Sequence, residues 1–290
     1  MEHVRRLLPI LGNSLRKGSC GKIAVIGGSV EYTGAPYFAA ISALKLGADL
    51  VHVFCAPEAA PVIKGYSPEL IVHPGLDPST VVKNLERMDA IVLGPGLGRN
   101  PTVKLLVDGV VDFAKRTDVP LVVDADGLWF LKDSVRNMPA LPSAILTPNM
   151  VEFSRLCESA LDVRDVLSIT DQQQLQKLAT SLSEQLGISV FLKGREDIIA
   201  NPDGEVAIGD DEGCPRRCGG QGDVISGTLA MFLLWASRQT SLKEATVPAG
   251  LACSQLVRRC AKLAFFSMGR SMITSDLIEK IPFVLQEIDK

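Results

Sequence analysis

A three-layer α/β/α fold, with a mostly parallel central sheet and a late β-hairpin, is the architecture this sequence predicts. Three observations predict it. Short β-branched runs alternate with helical patterns along most of the chain. Those runs are continuously apolar, as strands covered on both faces must be. Late in the chain, two such runs are joined by the turn N-P-D-G instead of by a helix. No repeat, low-complexity tract or linker interrupts the pattern, so residues 1–290 are expected to form one domain.

K-I-A-V-I-G (22–27) reads as the first strand, ended by Gly27 and Gly28. A-P-Y-F-A-A-I-S-A-L-K-L-G (35–47) places small and apolar residues at helical spacing, with Pro36 in the first turn and Gly47 as its stop. Further strands are predicted at 50–54, 90–94, 121–124, 144–147 and 189–193, and helices over 101–116, 151–157 and 171–186. D-I-I-A (197–200) and E-V-A-I-G (205–209) make the hairpin, and from Asp223 onward the pattern is helical. L-A-C-S-Q-L-V (251–257) fits either the core or a contact between copies of the chain, which leaves a homo-oligomer open.

Ligands of an open parallel sheet collect beyond the C-terminal ends of its strands. Here those ends carry Gly27-Gly28-Ser29, G-P-G-L-G (94–98), D-A-D-G (124–127), T-P-N-M-V-E-F (147–153) and K-G-R-E-D (193–197). Five strand ends rich in Gly, Asp, Asn and Lys predict a site for a large, polar ligand.

Composition excludes several classes. The chain is 47% hydrophobic and 22% charged, with a formal net charge of -3 and like charges clustered only in pairs such as Arg258-Arg259. That balance argues against nucleic acid or an anionic membrane as a partner. No stretch reaches the roughly 18 apolar residues of a spanning helix. The N-terminus shows neither a secretory signal nor a long presequence for mitochondrial import, so a cytoplasmic protein is expected. Seven cysteines stand singly at 20, 55, 157, 214, 218, 253 and 260, predicting reduced intracellular thiols. None of the three histidines (His3, His52, His73) lies at zinc-ligand spacing from a cysteine.

Common nucleotide and hydrolase motifs fail on spacing. The nearest approach to a P-loop, Gly18-S-C-Gly21-Lys22-Ile23, lacks both the interval and the hydroxyl. G-P-G-L-G has Arg99 where a dinucleotide fingerprint needs its third glycine. No G-x-S-x-G with a histidine base is present. What survives is R-R-C-G-G-Q-G-D-V-I-S-G (216–227), ahead of a long apolar run. Successive glycines let backbone N–H groups converge on one point, and a following helix adds its positive end. Such a loop holds a phosphate in transfer. A carboxylate beside that anion repels it, but it suits Asp223 to take a proton from a hydroxyl attacking phosphorus. The residues alone equally allow a Gly-rich turn with an N-capping aspartate; the loaded strand ends favour the site.

This loop resembles the anion-hole and base motif of the ribokinase-like superfamily, and more closely that of the ATP-dependent NAD(P)H-hydrate dehydratases. The likeness extends to residues 31–50, 59–74, 94–99, 124–129, 146–156 and 193–199, in order along nearly the whole chain. It implies a ribokinase-like fold and a lyase that uses ATP to phosphorylate the C6 hydroxyl of the S-form of hydrated NADH or NADPH (NADHX, NADPHX). Loss of phosphate then restores the dihydropyridine and repairs the cofactor. It further implies Asp223 as base and substrate contact. Gly213, Cys214, Pro215, Arg216, Arg217, Cys218, Gly219, Gly220, Gln221 and Gly222 would line ATP, with the amides of the last three glycines facing its γ-phosphate. Lys193, Gly194, Arg195, Glu196 and Asp197 match a second ATP segment. Asn149, Met150, Val151, Glu152, Phe153, Ser154 and Arg155 match the hydrated-nucleotide segment, joined by Gly96 and Gly98.

Each position has a structural rival. Asn149 caps a helix or binds ligand; Lys193 is a solvated strand end or an ATP contact; Gly96 and Gly98 serve a tight turn or a ligand; Thr33 to Pro36 caps a helix or walls the nicotinamide. Asp124 and Asp126 are expected to support their loop. Mg²⁺ is expected with ATP, its ligands unassigned. Residues 157–172 carry no role, and a separate NAD(P)HX epimerase is the implied functional partner. The competing readings are a ribokinase-like kinase of a vitamin or sugar hydroxyl, and a nucleotide-binding regulatory protein with a decayed loop.

Overall fold

Nine strands form one sheet in the computed structural model, which describes residues 1–137 and 140–288. They are β1 (Lys22–Ile26), β2 (Leu50–Cys55), β3 (Ile71–Pro74), β4 (Ala90–Leu93), β5 (Leu121–Val123), β6 (Ala144–Leu146), β7 (Ser189–Leu192), β8 (Asp197–Ala200) and β9 (Val206–Gly209), in the order β3-β2-β1-β4-β5-β6-β7-β8-β9. All pairings from β3 to β7 are parallel, and β8 and β9 add the antiparallel hairpin. The chain runs outward from β1 to β3 and then restarts at β4 on β1's other side. Between those two strands lies the switch point where such sheets open a crevice.

The helices are α1 (Glu2–Leu7), α2 (Gly34–Leu46), α3 (Ala60–Tyr66), α4 (Pro78–Leu85), α5 (Lys104–Thr117), α6 (Asp126–Leu131), α7 (Met150–Leu161), α8 (Gln172–Leu186), α9 (Gln221–Ser237), α10 (Leu242–Met268) and α11 (Thr274–Ile288). Successive strand residues point to opposite faces, so β1 sends Ile23 and Val25 into one core and Ala24 and Ile26 into the other. The first core lies under α1, α2, α3, α9, α10 and α11; the second lies under α4 to α8. Both faces being covered explains the continuously apolar strands.

The predicted strands and hairpin are present, and two differences stand out. β3 was not predicted, and neither were α1, α3, α4 and α6. The helix expected over 151–157 continues to Leu161 and stops at Asp162, whose φ of 58° is left-handed. A 3₁₀ turn at Val166–Ser168, with Val166 fully buried, occupies part of the stretch to which no role was given. Of the 251–257 segment, Ala252, Cys253, Ser254, Leu256 and Val257 are buried, so it belongs to the core.

α9 begins at Gln221, two residues before Asp223, and is buried along nearly its whole length from Val224 to Ala236. A Cβ on Gly227 would lie 2.0 Å from the carbonyl oxygen of Ala39, so α2 and α9 touch main chain to main chain there. At its far end Trp235 Nε1 donates to the Cys20 carbonyl at 2.8 Å. Asp223 therefore rides on a helix locked at both ends. No helix of the described residues is long and apolar enough to cross a membrane.

Candidate active site

The crevice at the switch point is built by close backbone contact. Gly28 N donates to the carbonyls of Pro95 and Gly96, both at 3.1 Å. Gly96 and Gly98 adopt φ of 60° and 78°, and added Cβ atoms would press on Tyr32 at 2.7 Å and on Ser29 at 3.1 Å. Both glycines thus serve the tight turn against residues 29–35. Thr33 precedes α2 without capping it through its side chain; its hydroxyl meets the Tyr66 hydroxyl at 2.9 Å instead.

Ala125, with a left-handed φ of 47°, separates the two aspartates of D-A-D-G. Asp126 accepts from Gly98 N and from Arg99 Nε, each at 2.9 Å, and so supports the loop as expected. Asp124 has another task. Its buried carboxylate accepts from Lys193 Nζ at 2.7 Å. Lys193 is accordingly no solvated strand end: its side chain is 15% exposed. A Cβ on Gly222 would sit 3.3 Å from Nζ, which brings the end of β7 against the G-G-Q-G-D loop.

Around that ammonium stand three carboxylates: Asp124, Glu152 and Asp223. Burial alone would lower the Lys193 pKa, but the surrounding negative charge outweighs it and raises it. The carboxyl of Asp223 is pushed well above the usual carboxylate range, first by burial and then by Asp124, with Lys193 opposing. Burial likewise raises Glu152, with Lys193 opposing and Asp124 adding. One ammonium cannot neutralise three buried acids, so proton affinity rises where the excess charge sits. Asp223 lies in the first turn of α9, half-buried, and its carboxylate accepts no hydrogen bond among the described residues. It is not an N-cap: that position is Gly220, with φ of 96°.

Asn149 does cap. Its Oδ1 accepts from Val151 N and Glu152 N at 3.0 Å each, and Glu152 Oε2 accepts from Asn149 N at 2.8 Å, closing a capping box on α7. Capping occupies the oxygen of Asn149 and leaves its amide nitrogen for the cavity it borders. Phe153 departs from expectation. It is fully buried in the core, so its side chain meets no ligand. Met150 packs partly on the same core, while Val151 and Arg155 are exposed and Ser154 is half-buried.

A cavity of about 760 Å³ opens beside Lys193, within the range of small-molecule sites. It brings together Asn149, the whole of Lys193–Asp197, Gly213, Cys214, Pro215, Arg217, Gln221 and Gly222. Four residues expected here lie off its lining. Arg216 Nε donates to the Met272 carbonyl, Cys218 Sγ meets Thr274 Oγ1, Gly219 O accepts from Thr274 Oγ1, and a Cβ on Gly220 would strike Phe38. These four positions thus pack against Phe38 of α2 and against Met272 and Thr274 at the entry to α11. The helix's first-turn amides have no intrahelical carbonyl partner.

Arg258, on α10, was missed. Its Nε donates to Asp197 at 2.8 Å, and its terminal nitrogens donate to the carbonyls of Gly194, Arg195 and Asp211. One guanidinium straps both loops of the cavity together. Asp197, which also accepts from Ser254 Oγ and Gly194 N, is spent on that strap. Glu196 is tied to Gln172 Nε2 at 2.9 Å.

Comparison with known proteins places the chain in a family. A model of the NAD(P)H-hydrate dehydratase family matches residues 23–283. An ATP-dependent (S)-NAD(P)H-hydrate dehydratase from Caenorhabditis briggsae is 51% identical, over 100% of this chain and 95% of its own. The crystal structure of an ADP/ATP-dependent NAD(P)H-hydrate dehydratase from Bacillus subtilis, co-crystallised with ATP/Mg²⁺, superposes with a TM-score of 0.77 at 25% identity, covering 99% of this chain and 96% of that one. A ribokinase-like superfamily protein from Enterococcus faecalis shares the fold, with a TM-score of 0.79 at 19% identity over 99% and 94% of the two chains.

Proposed function

This chain belongs to the NAD(P)H-hydrate dehydratase family, and on that premise we propose that it uses ATP to return the S-form of hydrated NADH and NADPH to NADH and NADPH. One observation carries the reading. Asp223 holds a carboxylate of raised proton affinity, free of hydrogen bonds among the described residues, at the N-terminus of a locked helix and next to Lys193.

Hydroxide is a poor leaving group, and phosphate is a good one. Asp223 takes the proton of the C6 hydroxyl as its oxygen bonds to the γ-phosphorus and the bond to ADP breaks. Departure of phosphate from C6, driven by the ring nitrogen, with loss of a proton from C5 then restores the C5–C6 double bond of the dihydropyridine. A base must bind the incoming proton well yet be ionised when needed, and a raised carboxyl meets that demand nearer to neutral pH than an ordinary one. The amides of Gly219, Gly220 and Gly222 and the dipole of α9 steady the phosphoryl group. Lys193 stands between the ATP cavity and Asp223 and limits the repulsion between base and phosphate.

Among the described residues no three His, Cys, Asp or Glu side chains converge to hold a metal ion. The described residues thus offer no protein cage for Mg²⁺, and the ion that accompanies ATP would take most of its oxygens from phosphate and water. The reading extends to a reducing compartment such as the cytoplasm, supported by seven unpaired cysteines. It also extends to supply of the S-epimer by a separate epimerase, since hydration at C6 creates a stereocentre. The test is direct. Hydrated NADH, ATP and the protein are mixed, and the near-ultraviolet absorbance of the dihydropyridine is followed. Recovery that requires ATP is expected; no recovery, or recovery without ATP, overturns the reading.

A further inference from the structure

Trp129 on α6 is half-buried and carries three cations around one indole. The Arg99 guanidinium carbon lies 4.2 Å from the ring centre, Lys132 Nζ lies 4.4 Å from it and the Arg155 guanidinium carbon 5.3 Å. These residues line a second, smaller depression together with Ala125 and Glu152. It shares no lining residue with the ATP cavity. Glu152 links it to the reaction centre, because the same side chain acts on the charges of Lys193 and Asp223.

Like charges crowded on one ring repel unless anions answer them. Two of the cations have carboxylate partners: Arg99 pairs with Asp126 at 2.9 Å, and Lys132 with Asp133 at 2.7 Å. Arg155 has none among the described residues, so the group is short of one anion. The indole beneath excludes water and strengthens whatever anion binds. Guanidinium forks beside an ammonium suit phosphate oxygens. If the large cavity takes ATP and the reacting ring meets Asp223, the phosphates of the hydrated dinucleotide need a separate exit from the centre.

We propose that Arg99, Lys132 and Arg155 around Trp129 bind a phosphate group of the hydrated dinucleotide, remote from its reacting ring. This rests on the function proposed above and adds to it the residues that hold the substrate's far end. The phosphate is either the 2′-phosphate, present only in NADPHX, or the pyrophosphate common to both substrates.

Lys132→Ala and Arg99→Ala are assayed with NADHX and with NADPHX, alongside the KM for ATP. Each is expected to raise the dinucleotide KM roughly tenfold or more, as loss of a charge-assisted hydrogen bond does, with kcat and the KM for ATP unmoved. A rise confined to NADPHX identifies the 2′-phosphate, and an equal rise for both substrates identifies the pyrophosphate. Unchanged dinucleotide KM values, or a rise in the KM for ATP instead, would overturn the proposal. A second readout does not depend on turnover. The chain has two tryptophans, and Trp235 is buried with its N–H bonded to Cys20, so ligand-induced fluorescence changes report Trp129. Wild-type fluorescence is titrated with 2′,5′-ADP and with inorganic pyrophosphate. One of them is expected to bind, and roughly tenfold more weakly in Lys132→Ala; silence from both sinks the proposal. A wild-type protein that repairs hydrated NADH while both tests fail would lose this inference alone and keep its function.

Discussion

Replacing Asp223 by Asn keeps the shape of the first turn of α9 and removes only the capacity to accept a proton. A positioned base contributes about 10²–10⁴-fold to rate, so kcat is expected to fall by that factor, a barrier increase of about 2.7–5.4 kcal/mol. The large cavity proposed for ATP is lined by other residues, so the KM for ATP is expected to hold. Stability should move the opposite way. The folded pKa of Asp223 lies above its unfolded value. The native state therefore holds a proton that the unfolded chain releases, and the contribution is favourable in acid. It is lost as pH rises from the ordinary carboxylate range through the raised value. At neutral pH the charged form is a liability that Asn removes. An incompletely compensated buried charge costs about 1–3 kcal/mol, and each kcal/mol moves Tm by roughly 2–4 °C in a chain somewhat shorter than this one. Steady-state kinetics and thermal melts at neutral pH check both halves. A variant that loses less than about tenfold in kcat and also melts lower would show that the Asp223 carboxylate serves stability, and the chemistry assigned to it would be wrong.

Lys193→Met leaves Asp124, Glu152 and Asp223 without their ammonium. The folded Lys193 pKa is raised, so its stabilisation is in place at every pH below its ordinary value and is lost only as pH climbs through the raised one. Breaking the buried pair is expected to cost about 3–5 kcal/mol at neutral pH, with recovery in acid as the carboxyls take up protons. Because Lys193 opposes the upward shift of Asp223, the rising limb of kcat/KM should also move to higher pH; a pH–rate profile that stays in place contradicts the arrangement. Arg258→Ala unties the two loops of the cavity and should raise the KM for ATP at least about tenfold, and Arg258→Lys should not rescue it, since one ammonium cannot span the Asp197 carboxylate and three carbonyls. Gly227→Ala drives a methyl into Ala39 O; calorimetry should show a loss of about 1–3 kcal/mol, and an unchanged melt would mean that α2 and α9 yield more easily than their contact implies.

Parallel strands and the late hairpin were legible because apolar β-branched runs and N-P-D-G act locally. So was the segment joining G-G-Q-G-D to a buried helix. β3 escaped because I-V-H-P is a four-residue edge strand ending in proline, and α6 because it is only six residues long and opens on Asp126-Gly127 after Ala125, whose φ is positive. The site was legible by segment and not by partnership. Lys193 meets Asp124 across 69 residues, and Arg258 meets Asp197 across 61; no local spacing announces either pair. Arg258-Arg259 looked like any solvated basic pair on a helix. Phe153 was expected at the site because the family resemblance assigns the whole segment 149–155 to the ligand, whereas helical periodicity turns every third or fourth residue inward.

The strap at Arg258 also bears on how the protein is made. Strands β7 and β8 and the glycine loop leave the ribosome before α10 does, yet the two halves of the nucleotide chamber stay unfastened until residue 258 has emerged and docked. A growing chain would thus carry its phosphate loop for some time without a chamber able to hold ATP. The chamber is thus assembled late, once α10 has emerged and Arg258 has docked.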